Sequence, residues 1–291
     1  MSMRIEQNYR KKIPILLNPN YRWDARLGWV GKEHLIGHPD SQDITLVLGD
    51  SFTDGLTVPS DKMWFSYLLE DSAAQRLIAY GGQGYGTLQE KLVIEDYIAK
   101  GIKPTRIILQ LCSNDFINNY RPLEEKSLIQ RAPAPRPYLE NGKISVQFPR
   151  AYDFILYPLI SVSRLAFRYN NRWDEYLAKQ ASSGAMHTIE TDIQTKGFKS
   201  SLFRASIPVT QDLLQQIISS VSVPIILMLI DNNEPYSSAF KGIAKNLKIP
   251  LFIPSQVEPL PANSRLTDGA HLNELGNRIV GTTLNKMINS R

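Results

Sequence analysis

Ser51 stands in Gly49-Asp50-Ser51, directly after the apolar run Leu46-Val47-Leu48 and shortly before Gly55. A serine set between glycines where an apolar run stops is exposed at a turn, and its hydroxyl could attack a carbonyl. Such attack needs a base to take the proton, a group to orient that base and donors for the oxyanion. Asp268-Gly269-Ala270-His271 offers the first two. A carboxylate three residues before a histidine can accept the proton on one imidazole nitrogen, leaving the other free as a base near neutral pH. Gly84, within Gly81-Gly82-Gln83-Gly84-Tyr85-Gly86, and Asn114-Asp115 supply further polar groups.

Competing readings attach to the same residues. Ser51 could be an ordinary helix N-cap. Asp50, Asp54 and Asp115 could hold a hard cation and imply phosphoryl chemistry, although Asp50 and Asp115 also suit turns held by backbone N–H groups. His34, His38 and His187 have no motif around them and read as surface or structural. Cys112, the only cysteine, excludes an internal disulfide and a cysteine-based metal cluster. With no basic neighbour in sequence, it reads as a core residue.

The elements that must position these groups alternate. Ile44 to Leu48 reads as a doubly buried strand with Ser51 at its carboxyl end, where open α/β sheets bind ligands. A helix from Ser60, with Trp64, Tyr67 and Leu68 on one face, leads to a strand at 76–80. Thr87 and Glu90 then read as a capping box opening a helix through Lys100. The glycine turn before it is not a dinucleotide fingerprint, because Thr87 stands where a third glycine belongs. Strands at 105–112, 224–230 and 251–253 follow, with helices from Thr210, from Ser237 and after His271. The expected fold is α/β, a three-layer α/β/α sandwich around a five-stranded parallel sheet.

Residues 1–43 read as an N-terminal arm packing on a single domain of residues 44–291. The basic stretch Arg4 to Lys12 and the aromatics Tyr21 and Trp23 belong to that arm. Residues 120–205 lose the strand-helix rhythm and read as an insertion. It carries Pro133, Pro135 and Pro137 and then an apolar and aromatic block from Phe154 to Tyr169. Such an insert suits a lid or a specificity wall.

The composition is that of a soluble globular chain, 43% hydrophobic and 21% charged across 291 residues. Its formal charge of +5 is spread without a long basic run. A solvated basic surface therefore fits better than nucleic-acid binding. Ile13 to Leu17, broken by Pro14, is too short for a signal-peptide core or a membrane span. The sequence as it stands reads as cytoplasmic, or as periplasmic or secreted if an export signal lies outside it.

Taken together, Gly49-Asp50-Ser51, Gly84, Asn114-Asp115 and Asp268-x-x-His271 resemble, in order and spacing, the four blocks of the SGNH hydrolases, the GDSL esterase family. The resemblance implies a flavodoxin-like fold and an esterase needing no metal or other cofactor. It implies Ser51 as nucleophile, His271 as base and Asp268 as its partner, with an oxyanion hole of the Ser51 and Gly84 N–H groups and the Asn114 amide. Two positions depart from the family pattern. Cys112 replaces the glycine of the third block, and Ala79 stands where the second block opens with asparagine.

The substrate implied is a small-molecule or glycan ester with a short acyl group. Phe154 to Ile160 could alternatively build a lipid-facing lid. The same site could pass its acyl group to a sugar or alcohol. A third reading is an idle member binding carbohydrate through Tyr85, Trp64 and Tyr138.

Overall fold

The computed structural model describes residues 24–69, 74–128, 134–182 and 186–290. The N-terminal arm through Trp23, with its basic stretch and first aromatics, and Pro133 lie outside them. The chain divides into two compact units: Gly31–Phe116 with Ile207–Arg291, and Ile117–Ser206 with the described residues up to Val30. The segment read as an insertion, 120–205, falls within the second.

The described strands are β1 (Lys32–Gly37), β2 (Asp43–Gly49), β3 (Gln75–Gly81), β4 (Arg106–Leu111), β5 (Arg136–Glu140), β6 (Lys143–Gln147), β7 (Ile225–Leu229) and β8 (Leu251–Phe252). The helices that matter below are α1 (Ser51–Asp54), α2 (Thr87–Ala99), α3 (Asp153–Val162), α4 (Arg164–Ser182), α5 (Ser201–Ser220), α6 (Tyr236–Leu247) and α7 (Glu274–Asn289).

In the first unit six strands form one sheet in the order β1-β3-β2-β4-β7-β8. β2, β3, β4, β7 and β8 are parallel, and β1 joins the β3 edge antiparallel. Counting only the parallel strands, the spatial order is 2-1-3-4-5, the flavodoxin-like doubly wound order. The expected five-stranded parallel sheet thus becomes six-stranded. The extra strand comes from residues read as part of the arm. β1 shows only His34 fully buried, so it lacks the apolar alternation that marks a strand in sequence.

Burial explains the central strands. Val47, Ala79, Ile108, Met228 and Phe252 form one core with Trp64, Phe65, Leu68, Leu272, Val280 and Leu284. The alternate residues Leu46, Leu48, Ile107, Leu109 and Leu227 are equally buried. Both faces are covered, which is why these strands read as continuous apolar runs.

Several local expectations are corrected. The helix expected from Ser60 is a pair of 3-10 turns, Ser60–Lys62 and Trp64–Leu68, separated by extended Met63. That break lets Met63, Trp64, Phe65 and Leu68 all be buried. α5 starts at Ser201, well before Thr210, and carries Pro208 inside it. The cap of α2 is Gly86, whose N–H donates to Gln89 Oε1 at 3.2 Å. The Thr87 hydroxyl instead donates to Asp115 Oδ1 at 2.8 Å, and Glu90 is buried.

The other unit contains the β5–β6 hairpin and the consecutive helices α3 and α4. Its interior holds a fully buried ion-pair contact, Arg136 Nε to Glu124 Oε1 at 3.2 Å. The Tyr138 hydroxyl donates to Glu124 Oε2 at 2.8 Å. Burial dominates and pushes the Glu124 carboxyl up to about 7, against the opposing pull of Arg136 and Tyr138.

The end of β3 touches α1 without room for a side chain. A Cβ on Gly81 would lie 2.2 Å from the Asp54 nitrogen and 2.5 Å from the Thr53 carbonyl carbon, both backbone. Gly81→Ala is therefore expected to lower stability by about 1–3 kcal/mol, the cost of overpacking a rigid contact. A urea midpoint shift at unchanged m-value measures it.

Candidate active site

The order of the parallel strands reverses between β2 and β4, and at such a switch point the two flanking loops diverge and leave a crevice. Ser51 lies at the carboxyl end of β2, as the first residue of α1. Asp50 caps that short helix, its Oδ1 accepting from the Phe52 N–H at 2.9 Å. Gly55 closes it in the left-handed region at φ 78°. Ser51 is therefore inside the helix, and the capping role proposed for it belongs to Asp50. Among the described residues the Ser51 N–H has no acceptor, as befits the first turn of a helix.

Gln110, a buried polar residue on β4, fixes the start of α1. Its Oε1 accepts from the Thr53 hydroxyl at 2.9 Å and from the Asp50 N–H at 3.3 Å. A side chain at Gly49 would put a Cβ 2.3 Å from that same oxygen. The glycine before Asp50 is thus required by close approach.

His271 arrives from the opposite end of the chain. Its Nδ1–H donates to Asp268 Oδ2 at 2.6 Å, which leaves Nε2 to accept from the Ser51 hydroxyl at 2.8 Å. Asp268 Oδ1 accepts from the N–H groups of Ala270 and His271 at 2.9 and 3.0 Å. Partial burial works to raise the Asp268 carboxyl. The hydrogen bonds from the His271 ring and from the two backbone N–H groups outweigh it and hold it below the usual range. The carboxylate is therefore ionised at neutral pH. Phe52 packs its ring 5.0 Å from that of His271.

The loop that carries Asp268 and His271 is anchored on both sides. Leu266 N–H donates to the His271 carbonyl at 2.8 Å, and Asn273 N–H to Ser264 O at 3.0 Å. The Asn277 amide donates to Leu272 O at 3.1 Å, while its Oδ1 accepts from Trp64 N–H at 3.1 Å. The Trp64 indole N–H then donates to Phe52 O at 3.2 Å. One chain of bonds therefore runs from the histidine loop to α1.

Gly84 and Asn114 follow β3 and β4, the two strands flanking β2. Gly84 adopts φ 68°, which a side-chain-bearing residue rarely takes. Asn114 is buried, and its Nδ2 makes a long 3.5 Å bond to Tyr85 O. Asp115 Oδ2 accepts from Cys112 N–H at 2.8 Å, so with the Thr87 contact it ties the end of β4 to the start of α2. Asp231, after β7, accepts from the Ser113 hydroxyl and from its N–H, the latter at 3.3 Å. Asp231, Gln110 and Asn277 are three polar residues of this neighbourhood that sequence reasoning missed.

The other histidines stand apart. His34 is buried and bonded to Ser60 Oγ at 2.7 Å and to Asp54 O at 3.1 Å, and burial lowers its pKa. His187 is exposed and lies 3.8 Å from Asp192. Asp54 Oδ1 accepts from the Leu56 N–H at 3.1 Å. Among the described residues no group of three or more His, Cys, Asp or Glu side chains is arranged to hold a metal ion. Tyr85, Trp64 and Tyr138 are each buried to 1% exposure or less, so none presents a ring to a glycan. This corrects the reading of those aromatics as a carbohydrate platform.

Beside Ser51 and His271 lies a narrow recess walled by Phe52, Leu56, Met63 and Leu272, with a cavity volume of about 10 Å³. That is below the ~300–1,000 Å³ typical of pockets for drug-sized ligands. A wider groove along β8, lined by Lys241, Leu251, Val257 and Met287, contains no nucleophile and base pair.

No family model matches the chain, and no curated protein does. Solved structures are similar to it. A protein ascribed to the lipolytic G-D-S-L family from Desulfitobacterium hafniense is 12% identical, with TM-score 0.43 over 84% of this chain and 98% of that one. A member of the lipolytic protein G-D-S-L family from Veillonella parvula is also 12% identical, with TM-score 0.41 over 85% and 99%. The Clostridium thermocellum family 3 carbohydrate esterase matches at 12% identity and TM-score 0.42 over 85% and 96%. At this level the likeness carries no inference about chemistry, which rests on the geometry above.

Behind the site lies a buried acidic group. Asp50 is pushed up to about 6, mainly by burial. Glu90 is raised well above its ordinary value, first by burial and then by Asp115 and Asp50. Neither Glu90 oxygen has a hydrogen-bond partner among the described residues. A raised carboxyl keeps its proton in the folded chain while the unfolded chain ionises. It therefore lowers stability as pH climbs from the unfolded pKa, roughly 4, through the folded one. Glu90→Gln is expected to flatten this decline by up to about 1.4 kcal/mol per pH unit over the acid-to-neutral range. Urea unfolding of both proteins at a series of pH values measures the slopes, and equal slopes would contradict a protonated Glu90.

Proposed function

We propose that the protein is a serine esterase acting on acetyl or similarly short acyl esters of small-molecule or glycan alcohols. The observation that carries this reading is the continuous relay from the Ser51 hydroxyl to His271 Nε2 and from Nδ1 to Asp268.

In the proposed reaction Ser51 Oγ attacks the ester carbonyl carbon as its proton passes to His271 Nε2. Asp268, ionised throughout, stabilises the imidazolium and keeps the ring oriented. The tetrahedral oxyanion is met by the Ser51 N–H, the Gly84 N–H and the Asn114 amide, whose present bond to Tyr85 O is long enough to be outcompeted. Collapse releases the alcohol with the proton from His271 and leaves acyl-Ser51. Water, deprotonated by His271, then attacks the acyl carbon; the acyl–Oγ bond breaks, His271 returns the proton to Ser51 Oγ, and the carboxylic acid leaves. Transfer to another alcohol would use the same groups. The side chains of His271 and Asp268 are 25% and 43% exposed, which leaves water access to the base and favours hydrolysis. The narrowness of the recess beside Ser51 favours a short acyl group.

Hydrolysis of p-nitrophenyl acetate by the purified chain tests the proposal. Ser51→Ala and His271→Ala are each expected to lose about 10³-fold or more in turnover, and Asp268→Asn less. Asn114→Ala is expected to lose about 10²–10³-fold, as for an oxyanion donor. Butyrate should be the poorer substrate. Activity that persists in Ser51→Ala would sink the mechanism.

A further inference from the structure

The helices α3 and α4 leave an unusual amount of apolar surface uncovered. In α3, Phe154, Ile155 and Leu159 are exposed, Ile155 at 75%. In α4, Leu165, Tyr169, Trp173 and Tyr176 recur at helical spacing and are all exposed, Leu165 at 79% and Tyr169 at 71%. The rings of Trp173 and Tyr176 stack on each other at 5.6 Å. With Tyr152, eight large apolar or aromatic side chains of these two helices and their approach are exposed, and clustered exposure of that kind marks an interaction surface.

The charge on α4 is not scattered around it. Arg164, Arg168 and Arg172 follow one another at intervals of four, and Lys179 continues their edge. All four are exposed. At 3.6 residues per turn this row runs directly beside the stripe of Leu165, Tyr169, Trp173 and Tyr176. α4 also contains Asp174 and Glu175. α3 has a single charge, Asp153, which is buried and paired with Arg150 at 2.6 Å.

We propose that α3 and α4 form a docking surface for an anionic lipid bilayer, lying in the interface with the aromatic stripe at headgroup depth and the basic row against lipid phosphates. An exposed apolar stripe carrying Trp and Tyr beside a basic row is the composition of an interfacial helix. No described helix is long and apolar enough to cross a membrane, so attachment would be peripheral. A second copy of the chain fits this face less well. An antiparallel two-fold contact through it would set one basic row near the other, and like charges brought together oppose association. The proposal does not depend on the chemistry assigned to Ser51.

Co-sedimentation of the full chain with phospholipid vesicles tests it. Binding is expected to vesicles containing about one third phosphatidylglycerol, to weaken as salt is raised, and to be much poorer to pure phosphatidylcholine. Arg168→Gln with Arg172→Gln should weaken binding about 30-fold, from roughly one basic-residue contribution each. Tyr169→Ser with Trp173→Ser should weaken it about tenfold or more, with circular dichroism confirming that both variants are folded. Ser51→Ala should bind as the wild type does. Failure of the folded chain to bind the anionic vesicles, or binding that neither double variant alters, would overturn the proposal. So would a dimer in sedimentation equilibrium that Trp173→Ser abolishes, because it would give the face to a second copy.

Discussion

The arrangement at the end of β2 depends on how closely backbones approach there. β2 and β3 run side by side to Gly49 and Gly81, and α1 turns off against both ends. With no side chain at either glycine, the Gln110 amide oxygen reaches the start of α1 from β4 and the backbone of β3 meets Thr53 and Asp54. The serine is consequently fixed by main-chain contacts and one buried side-chain acceptor. In the proposed role of nucleophile, a serine held this way would lose little orientation entropy on reaction.

A cost of this construction is electrostatic. Asp50 and Asp115 each accept from a backbone N–H, which holds the turns after β2 and β4, but both are buried, with Glu90 close enough to raise its own pKa through them. Carboxyls crowded in a low-dielectric interior cannot all ionise. Glu90 resolves the conflict by remaining neutral, so the turns are held without three buried negative charges behind the serine. Asp268 is treated differently. It is partly exposed and has two backbone donors and the imidazole, so it stays charged where a developing imidazolium needs it. Carboxylates in one neighbourhood are thus pushed in opposite directions by burial, by hydrogen bonding and by neighbouring charges.

Much of this was legible in the sequence where the determinant is local. The central strands were readable because burial on both faces demands uninterrupted apolar runs. Ser51, Asp268 and His271 were readable because each lies in a short stretch whose residue types limit its chemistry. Residues acting across the chain were not legible. Asn277 meets Trp64 over 213 positions and Gln110 meets Asp50 over 60, and nothing in the flanking residues of either announces the partner. β1 was hidden because an edge strand with one buried residue has no period to detect. Thr87 and Glu90 had the spacing of a capping box, but the Asp115 carboxylate took the threonine hydroxyl, a tertiary bond overriding a local one.

The exposed stripe of α4 follows the opposite logic from the core strands. A helix buries its apolar stripe against its own fold when it can, and this one has such a face in Leu177 and Asn170, both buried. Beside that face a stripe of Leu165, Tyr169, Trp173 and Tyr176, bordered by arginines, is about half or more exposed at each residue and leaves apolar area that water disfavours. Such a surface lowers the free energy of the system only when something else covers it. An aromatic stripe bordered by one sign of charge is better matched to a bilayer interface, where the rings and the guanidinium groups each find a favourable depth, than to the uniform interior of a protein contact.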